Sequence, residues 1–507
     1  MYSPTVGVIY VFNLIVGTGA LTLPRAMAAA GWLVSIVLLI FLGIISYITT
    51  TFMVECLSIA NACKRHEKKE LMDEGSDPPT PESIPENASI IKGGLIEFPR
   101  SGIASEHSPL LDSTSSTSSR RSSNGAQQKF AITQAVEMGE MADMFFNKIG
   151  RTLFYLCITI YLYGDLAIYA AAVPKSLRDI VCGNLSCSAS NASGSQHVSD
   201  DDICWGSSIT RMDVYRIFLA IFAVTLGPFT YFSVQKTKYL QITTTLFRWI
   251  AFILMIVLAI IHISKTNGGE GRPPIAEVSG IPNLFGVSVY SFMCQHSLPS
   301  LVTPIRNKRS LSKLLAADYM LILIFYMLLG MTAIYCFQSD VLQDIYTLNF
   351  QDSCDTTNVA FLRYFLGLFP VFTLSTNFPI IAVTLRNNLQ SLFKKTSSFY
   401  INRILYPTLA IAPPIGVAFA TNNLTILVGV TGSYAGAGVQ YVIPAFLVLL
   451  ARKEAVRLYG RVTSVRNEHR SPFARRLWVI LVFIWAAVCL IFVTTNHILT
   501  WTSGGKN

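Results

Sequence analysis

The feature that most constrains this chain is an apolar segment, residues 6–37, that interrupts itself with Gly17-Thr18-Gly19 and again with Pro24. A simple membrane anchor needs roughly 20 apolar residues and gains nothing from glycines at its centre. In hydrocarbon an unpartnered backbone N–H or C=O costs several kcal/mol, so irregular backbone at membrane depth survives only against protein or a wet cavity. Glycine at 17 and 19, bracketed by Asn13 and Pro24, predicts an unwound point in the first span rather than a plain helix-packing face.

Charged residues make up only 13% of the chain, against about 25% in soluble proteins. The net charge of +10 does not imply nucleic-acid binding, because the basic residues sit in short segments between apolar runs, the pattern of cytosolic loops. Eleven spans are predicted, near 6–28, 32–60, 152–174, 214–234, 240–264, 283–304, 317–337, 359–385, 404–421, 424–450 and 477–500. Alternate connections are basic: Lys236 and Lys238; Arg306, Lys308, Arg309 and Lys313; Arg386, Lys394, Lys395 and Arg403; and the 451–476 segment. That places the N-terminus in the cytosol and the C-terminus, within 477–507, in the lumen or outside the cell.

The loop 175–213 agrees with this orientation. It carries glycosylation sequons at Asn184 and Asn191, and Cys182, Cys187 and Cys204; Cys354 lies in a second loop on the same side. Glycans and disulfides belong to the oxidising compartment, and four cysteines leave three pairings open. The other large connection, 62–136, is rich in Ser, Pro, Glu and Lys and is read as a disordered cytosolic loop between spans 1–2 (1–61) and the unit 137–264. Within it, Glu106 with Leu110 and Leu111 matches the acidic dileucine signal read by clathrin adaptors, which would route the protein to endosomal or lysosomal membrane rather than the plasma membrane. Acidic residues at 137, 140 and 143 alternate with Met and Phe, predicting a short amphipathic helix before span three.

Polar groups at membrane depth are functional hypotheses by default. Span six contains Tyr290, Cys294, Gln295 and His296 just before Pro299. His296 is either a coupling group that titrates or a neutral histidine bonded to a neighbouring helix. Asp165 in span three is either a proton relay or an acid satisfied by a tyrosine. The hydroxyls of Ser375 and Thr376 suit a sodium ion or bond back to their own helix. The glycines of 429–438 in span ten are read as close helix packing. No His or Cys spacing fits a metal site, and no nucleophile–base pair points to an enzyme.

Spans one and six hold the same position in two five-span units, 1–5 and 6–10 (the second within 283–450), with one span added. Matched interrupted helices point to an inverted-repeat transporter of the leucine-transporter type. Gly17-Thr18-Gly19-Ala20-Leu21-Thr22-Leu23-Pro24, then Ala26 and Ala30-Gly31-Trp32, resembles the first-helix signature of the amino acid/auxin permease family. Gly139-Glu140 before Gly150-Arg151, Cys294-Gln295-His296 near Pro299, and Asn377-Phe378-Pro379 are similar to that family too. The resemblance implies an all-α polytopic membrane protein with eleven spans and alternating-access transport of amino acids or similar small zwitterions, coupled to sodium or protons. Asn13, Gly17, Thr18, Gly19, Tyr290, Cys294 and Gln295 would line the substrate site, the freed N–H groups holding the carboxylate. Val16, Ser375 and Thr376 would supply oxygens to a bound sodium ion, with His296 and Asp165 as the proton groups. The competing expectation is a membrane sensor or scaffold that binds an amino acid and signals through its cytosolic loop without appreciable flux.

Overall fold

The computed structural model describes residues 3–74, 129–183, 200–206, 208–231, 238–352, 359–393, 400–460 and 467–504. Asn184, Asn191, Cys187, Cys354, Glu106, Leu110 and Leu111 lie outside the described residues. The described chain is almost entirely helical, with a single two-stranded β-ribbon, β1 (Ile203–Trp205) and β2 (Ile209–Thr210), at one end of the bundle.

Span one consists of α1 (Pro4–Ile15) and α2 (Thr18–Ala30), bent by 53° at the intervening Val16 and Gly17. Ser3 caps α1 through its hydroxyl, and Pro4 occupies the first turn, where its missing N–H costs nothing. The turn out of α2 uses Gly31 at φ +91°, a conformation that other residues avoid. A side chain there would also run into the carbonyl oxygens of Pro274 and Ile275, which accept from Trp32 N and Leu33 N. Span two is α3 (Trp32–Glu74).

The amphipathic helix appears as α4 (Met138–Phe145), with Met138, Met141 and Ala142 buried. Spans three to five are α5 (Lys148–Cys182), α6 (Arg211–Leu226) continuing into a 3-10 turn, and α7 (Lys238–Lys265). Span six is broken into α8 (Ile281–Ser291) and α9 (Leu298–Val302). Span seven is α10 (Leu311–Cys336). A short α11 (Asn349–Asp352) precedes span eight, α12 (Ala360–Leu392). Span nine is a π-turn at Ile401–Leu405 leading into α13 (Tyr406–Ala420). Span ten runs through α14 (Leu424–Thr431), two π-turns at Gly432–Gly436 and Gly438–Val442, and α15 (Ile443–Tyr459). The last span is α16 (Arg476–Gly504).

Among the described residues nine helices are long and apolar enough to cross a bilayer, and the bent pair α1–α2 makes ten. The segment expected as span six does not qualify by length, because its break leaves only 11 and 5 helical residues. The expected eleven is therefore reached only by counting that broken pair.

The loop expected over 62–136 is narrower at both edges. Residues 62–74 continue α3. Phe130, Ile132 and Val136 are buried, and the Asn61 side-chain oxygen accepts from Thr133 N and Gln134 N. Composition averaged over the whole stretch hides these few apolar anchors.

Candidate functional site

The two broken spans meet at the centre of the bundle, α2 against α8. Their approach requires Gly19, since a Cβ there would stand 2.7 Å from Ser291 Cα. Gly17 is different: a Cβ would meet nothing within 4 Å. The break therefore opens onto free space at the N-terminus of α2, where Ala20 N donates to Gly17 O at 3.2 Å. Among the described residues the buried Asn13 side-chain amide has no hydrogen-bond partner for its oxygen or its nitrogen, and the Ser288 hydroxyl of α8 has none either.

The carbonyls freed by the break already face a cation. Arg248 of α7 donates from Nη1 to Asn13 O and, at 3.0 Å, to Val16 O. The Val16 oxygen expected to help hold sodium thus accepts from a guanidinium. Thr376 Oγ1 bonds back to Thr373 O at 3.0 Å, and Thr373 Oγ1 to Phe369 O at 2.9 Å. Ser375 is half-buried on the same helix, which packs chiefly on α5.

A tyrosine ties the two breaks together. Tyr326 Oη of α10, fully buried, lies 3.1 Å from Ile15 O and 2.8 Å from Ser291 O, the carbonyls at the ends of α1 and α8. Two helical turns earlier, Tyr319 Oη lies 2.7 Å from Thr50 Oγ1 and 3.3 Å from Cys294 Sγ. Gln295 turns the same way. Its Nε2 donates to Thr49 Oγ1 at 3.1 Å and Thr50 Oγ1 at 3.4 Å, and its Oε1 accepts from Cys294 N at 3.0 Å. Cys294 and Gln295 therefore fasten the span-six break to span two, rather than presenting polar atoms to the space at Gly17.

Asp165, Tyr290 and His296 come together on the other side of α8. Tyr290 Oη donates to Asp165 Oδ1. Tyr161, one turn before Asp165, places its ring 5.5 Å from the His296 ring and 6.4 Å from that of Tyr290. His296 Nδ1 is buried without a partner among the described residues. Both groups singled out as proton candidates thus belong to one aromatic-lined cluster between spans three and six.

Spans six and ten touch backbone to backbone. A Cβ on Gly286 would stand 2.7 Å from Gly429 C, and one on Gly432 2.8 Å from Gly286 C. The small-residue face of span ten is used for packing, and its two π-turns begin at Gly432 and Gly438. Such turns recur at functional sites.

Ion pairs close both ends of the bundle. At the end carrying the β-ribbon, Lys175 pairs with Asp344 at 2.9 Å, and Thr425 Oγ1 donates to the same carboxylate at 2.8 Å. Arg178 bridges Asp179 and Asp200, Arg211 joins Asp179, and Asn422 joins Asp200, all at 2.7 Å. Burial alone would raise the carboxyls of Asp200 and Asp344, but these partners outweigh it and hold both below the usual range. The disulfide Cys182–Cys204 sits beside this network, resolving the pairing that spacing left open for those two cysteines. At the opposite end Arg452 forks onto Glu55 at 2.9 and 2.6 Å, and Ser471 N adds a third bond to that carboxylate.

Arg248, Tyr319, Tyr326 and Glu55 are absent from the sequence-based set. Arg248 carried a signal, as a lone basic residue within the apolar run Leu246-Phe247-Arg248-Trp249-Ile250. The tyrosines carried none: Tyr326 bonds main-chain oxygens, and the partners of Tyr319, Thr50 and Cys294, lie far from it in sequence.

Residues 2–77 and 133–495 match the family model described as transmembrane amino acid transporter protein. The chain is 54% identical over 505 residues to transmembrane protein 104 of Gallus gallus, covering 99% of this chain and 97% of that one. Transmembrane protein 104 of Homo sapiens is 53% identical over 508 residues, covering 99% and 98%. The transmembrane protein 104 homolog of Dictyostelium discoideum is 36% identical over 528 residues, again covering 99% and 98%. A mostly helical bundle with two interrupted spans crossing at its centre, matched over most of its length by that model, belongs to the transmembrane amino acid transporter family.

Proposed function

We propose that the protein is a secondary transporter of amino acids or similar small zwitterions, working by alternating access and driven by protons. The observation that carries this reading is the break at Val16 and Gly17. There, the N-terminus of α2 opens at Gly17 onto free space and the buried Asn13 amide has no partner among the described residues, while Arg248 takes up the carbonyls of Asn13 and Val16. A carboxylate suits the positive N-terminus of α2. A built-in guanidinium on Val16 O serves where a sodium ion would otherwise be needed. That leaves Asp165 with Tyr290, and His296 across Tyr161, as the groups to exchange a proton. The acidic dileucine at Glu106, Leu110 and Leu111, if read by an adaptor, would deliver the carrier to acidic compartments where such coupling has a driving force.

The test is counterflow of labelled amino acids into liposomes holding the purified protein, at about pH 5 and about pH 7, with and without sodium. Saturable exchange that responds to pH and ignores sodium is expected. Sodium-dependent exchange would overturn the assignment of Arg248. Tight binding without exchange would overturn transport and favour an amino acid sensor.

A further inference from the structure

We propose that Asp318 is a second proton-binding carboxyl, holding a proton in the conformation described here and exchanging it when span seven parts from its neighbours. Its part in coupling rests on the transporter reading; its protonation does not.

Four carboxyl side chains are fully buried among the described residues: Glu55, Asp165, Asp179 and Asp318. Three are satisfied. Glu55 is forked by Arg452, Asp165 accepts from Tyr290, and Asp179 is held by Arg178 and Arg211. Asp318 is 1% exposed, yet neither of its oxygens has a hydrogen-bond partner among the described residues. An ionised carboxylate left unpaired in such surroundings is strongly disfavoured, and the usual escape is to take up a proton.

The position argues for use rather than accident. Asp318 lies on the inward stripe of α10, with Leu311, Leu315, Ile322, Phe325 and Leu329. Leucine or isoleucine would fill that stripe without cost. It is seven residues from the start of α10, about 10 Å along the helix from the basic 306–313 loop. It adjoins Tyr319, which touches both Thr50 and the Cys294 thiol at the span-six break.

Within their apolar stretches the helices packed against α10 carry three charged groups, each with a partner. Arg248 of α7 serves the span-one carbonyls, Arg25 of α2 donates to Ser339 O, and Glu55 of α3 is paired. The titratable neighbours are Tyr319 and Cys294, with Tyr47 of α3 bonded to Ser312 O. None supplies a compensating positive charge. The step itself is simple: a proton from water on the side of the 306–313 loop adds to a carboxylate oxygen, forming O–H, and leaves by the reverse path, with no electron transfer.

Infrared absorption spectra of the protein in liposomes at about pH 7, compared between wild type and variants, read protonated carboxyls directly. The wild type should show a protonated-carboxyl band component that Asp318→Asn removes, Asp318→Glu retains in shifted form, and Asp165→Asn leaves in place. Asparagine matches the neutral acid in shape, so the fold should persist. The glutamate variant keeps the experiment decisive if it does not. Identical spectra for wild type and Asp318→Asn would overturn the proposal. In counterflow, Asp318→Asn should flatten the pH dependence of exchange. A lost band with an unchanged pH profile would overturn the coupling role. Absence of exchange in the wild type would count against transport alone, since the band is read without flux.

Discussion

Replacing Tyr326 with Phe removes one oxygen atom and leaves the ring packed against Phe292, 5.2 Å away between centroids. The lost hydroxyl has one proton and two acceptors, Ile15 O at 3.1 Å and Ser291 O at 2.8 Å. It therefore supplies one full hydrogen bond, worth about 0.5–1.5 kcal/mol net, and its loss leaves buried carbonyls whose desolvation costs about 1–3 kcal/mol. Partial relaxation of the breaks recovers some of this, so a working value is about 1–2 kcal/mol. An equilibrium between tied and loosened breaks would then shift by about 5–30-fold. Cys294 reports it: its thiol is fully buried, three residues beyond Ser291. Alkylation of Cys294, followed by mass spectrometry under conditions where opening is fast relative to reaction, should accelerate by that factor in Tyr326→Phe. Cys56, also fully buried but within α3, should not change. An unchanged Cys294 rate, or one rising in step with Cys56, would refute the idea that this hydroxyl holds the breaks together.

Gly19→Ala places a methyl 2.7 Å from Ser291 Cα, main chain that cannot rotate aside, and should cost about 1–3 kcal/mol. Gly17→Ala, with nothing within 4 Å, should keep wild-type stability, and thermal unfolding in detergent compares the two. At the β-ribbon end the sign for Asp344 follows from its depressed carboxyl. Its stabilisation is complete above the unfolded value of about 3.9 and is lost as pH falls through the lower folded value. The stability gap between wild type and Asp344→Asn should therefore be the same at pH 7 and pH 5, and shrink only below about pH 4; a gap that closes by pH 5 would contradict the pairing with Lys175.

The broken first span is legible in the sequence, because glycines and a proline inside an apolar run have few other uses. The same holds for the break in span six at Phe292 to Ser297 and for α4, whose acidic and apolar residues alternate with helical period. Side-chain direction is not legible. Cys294 and Gln295 lie in the broken segment, yet the backbone at Phe292 turns them toward Thr49 and Thr50, a fact of three-dimensional path and not of spacing. The partner of Val16 O is equally hidden, since Arg248 reaches it across 232 residues of chain. Asp318 looks, in sequence, like an acid close to a basic loop; only its burial and missing partners set it apart.

The contact of Gly286 with Gly429 and Gly432 has a mechanical consequence. Where helices meet through side chains, rotamer changes let one slide over the other. Here main chain lies on main chain, with no cushion to deform. Half-helix α8 and the glycine stretch of span ten must therefore travel as a single strut. Whatever swings during a working cycle has to hinge elsewhere, and the two places where the helical ladder is already severed, at 16–17 and 292–297, are the natural joints.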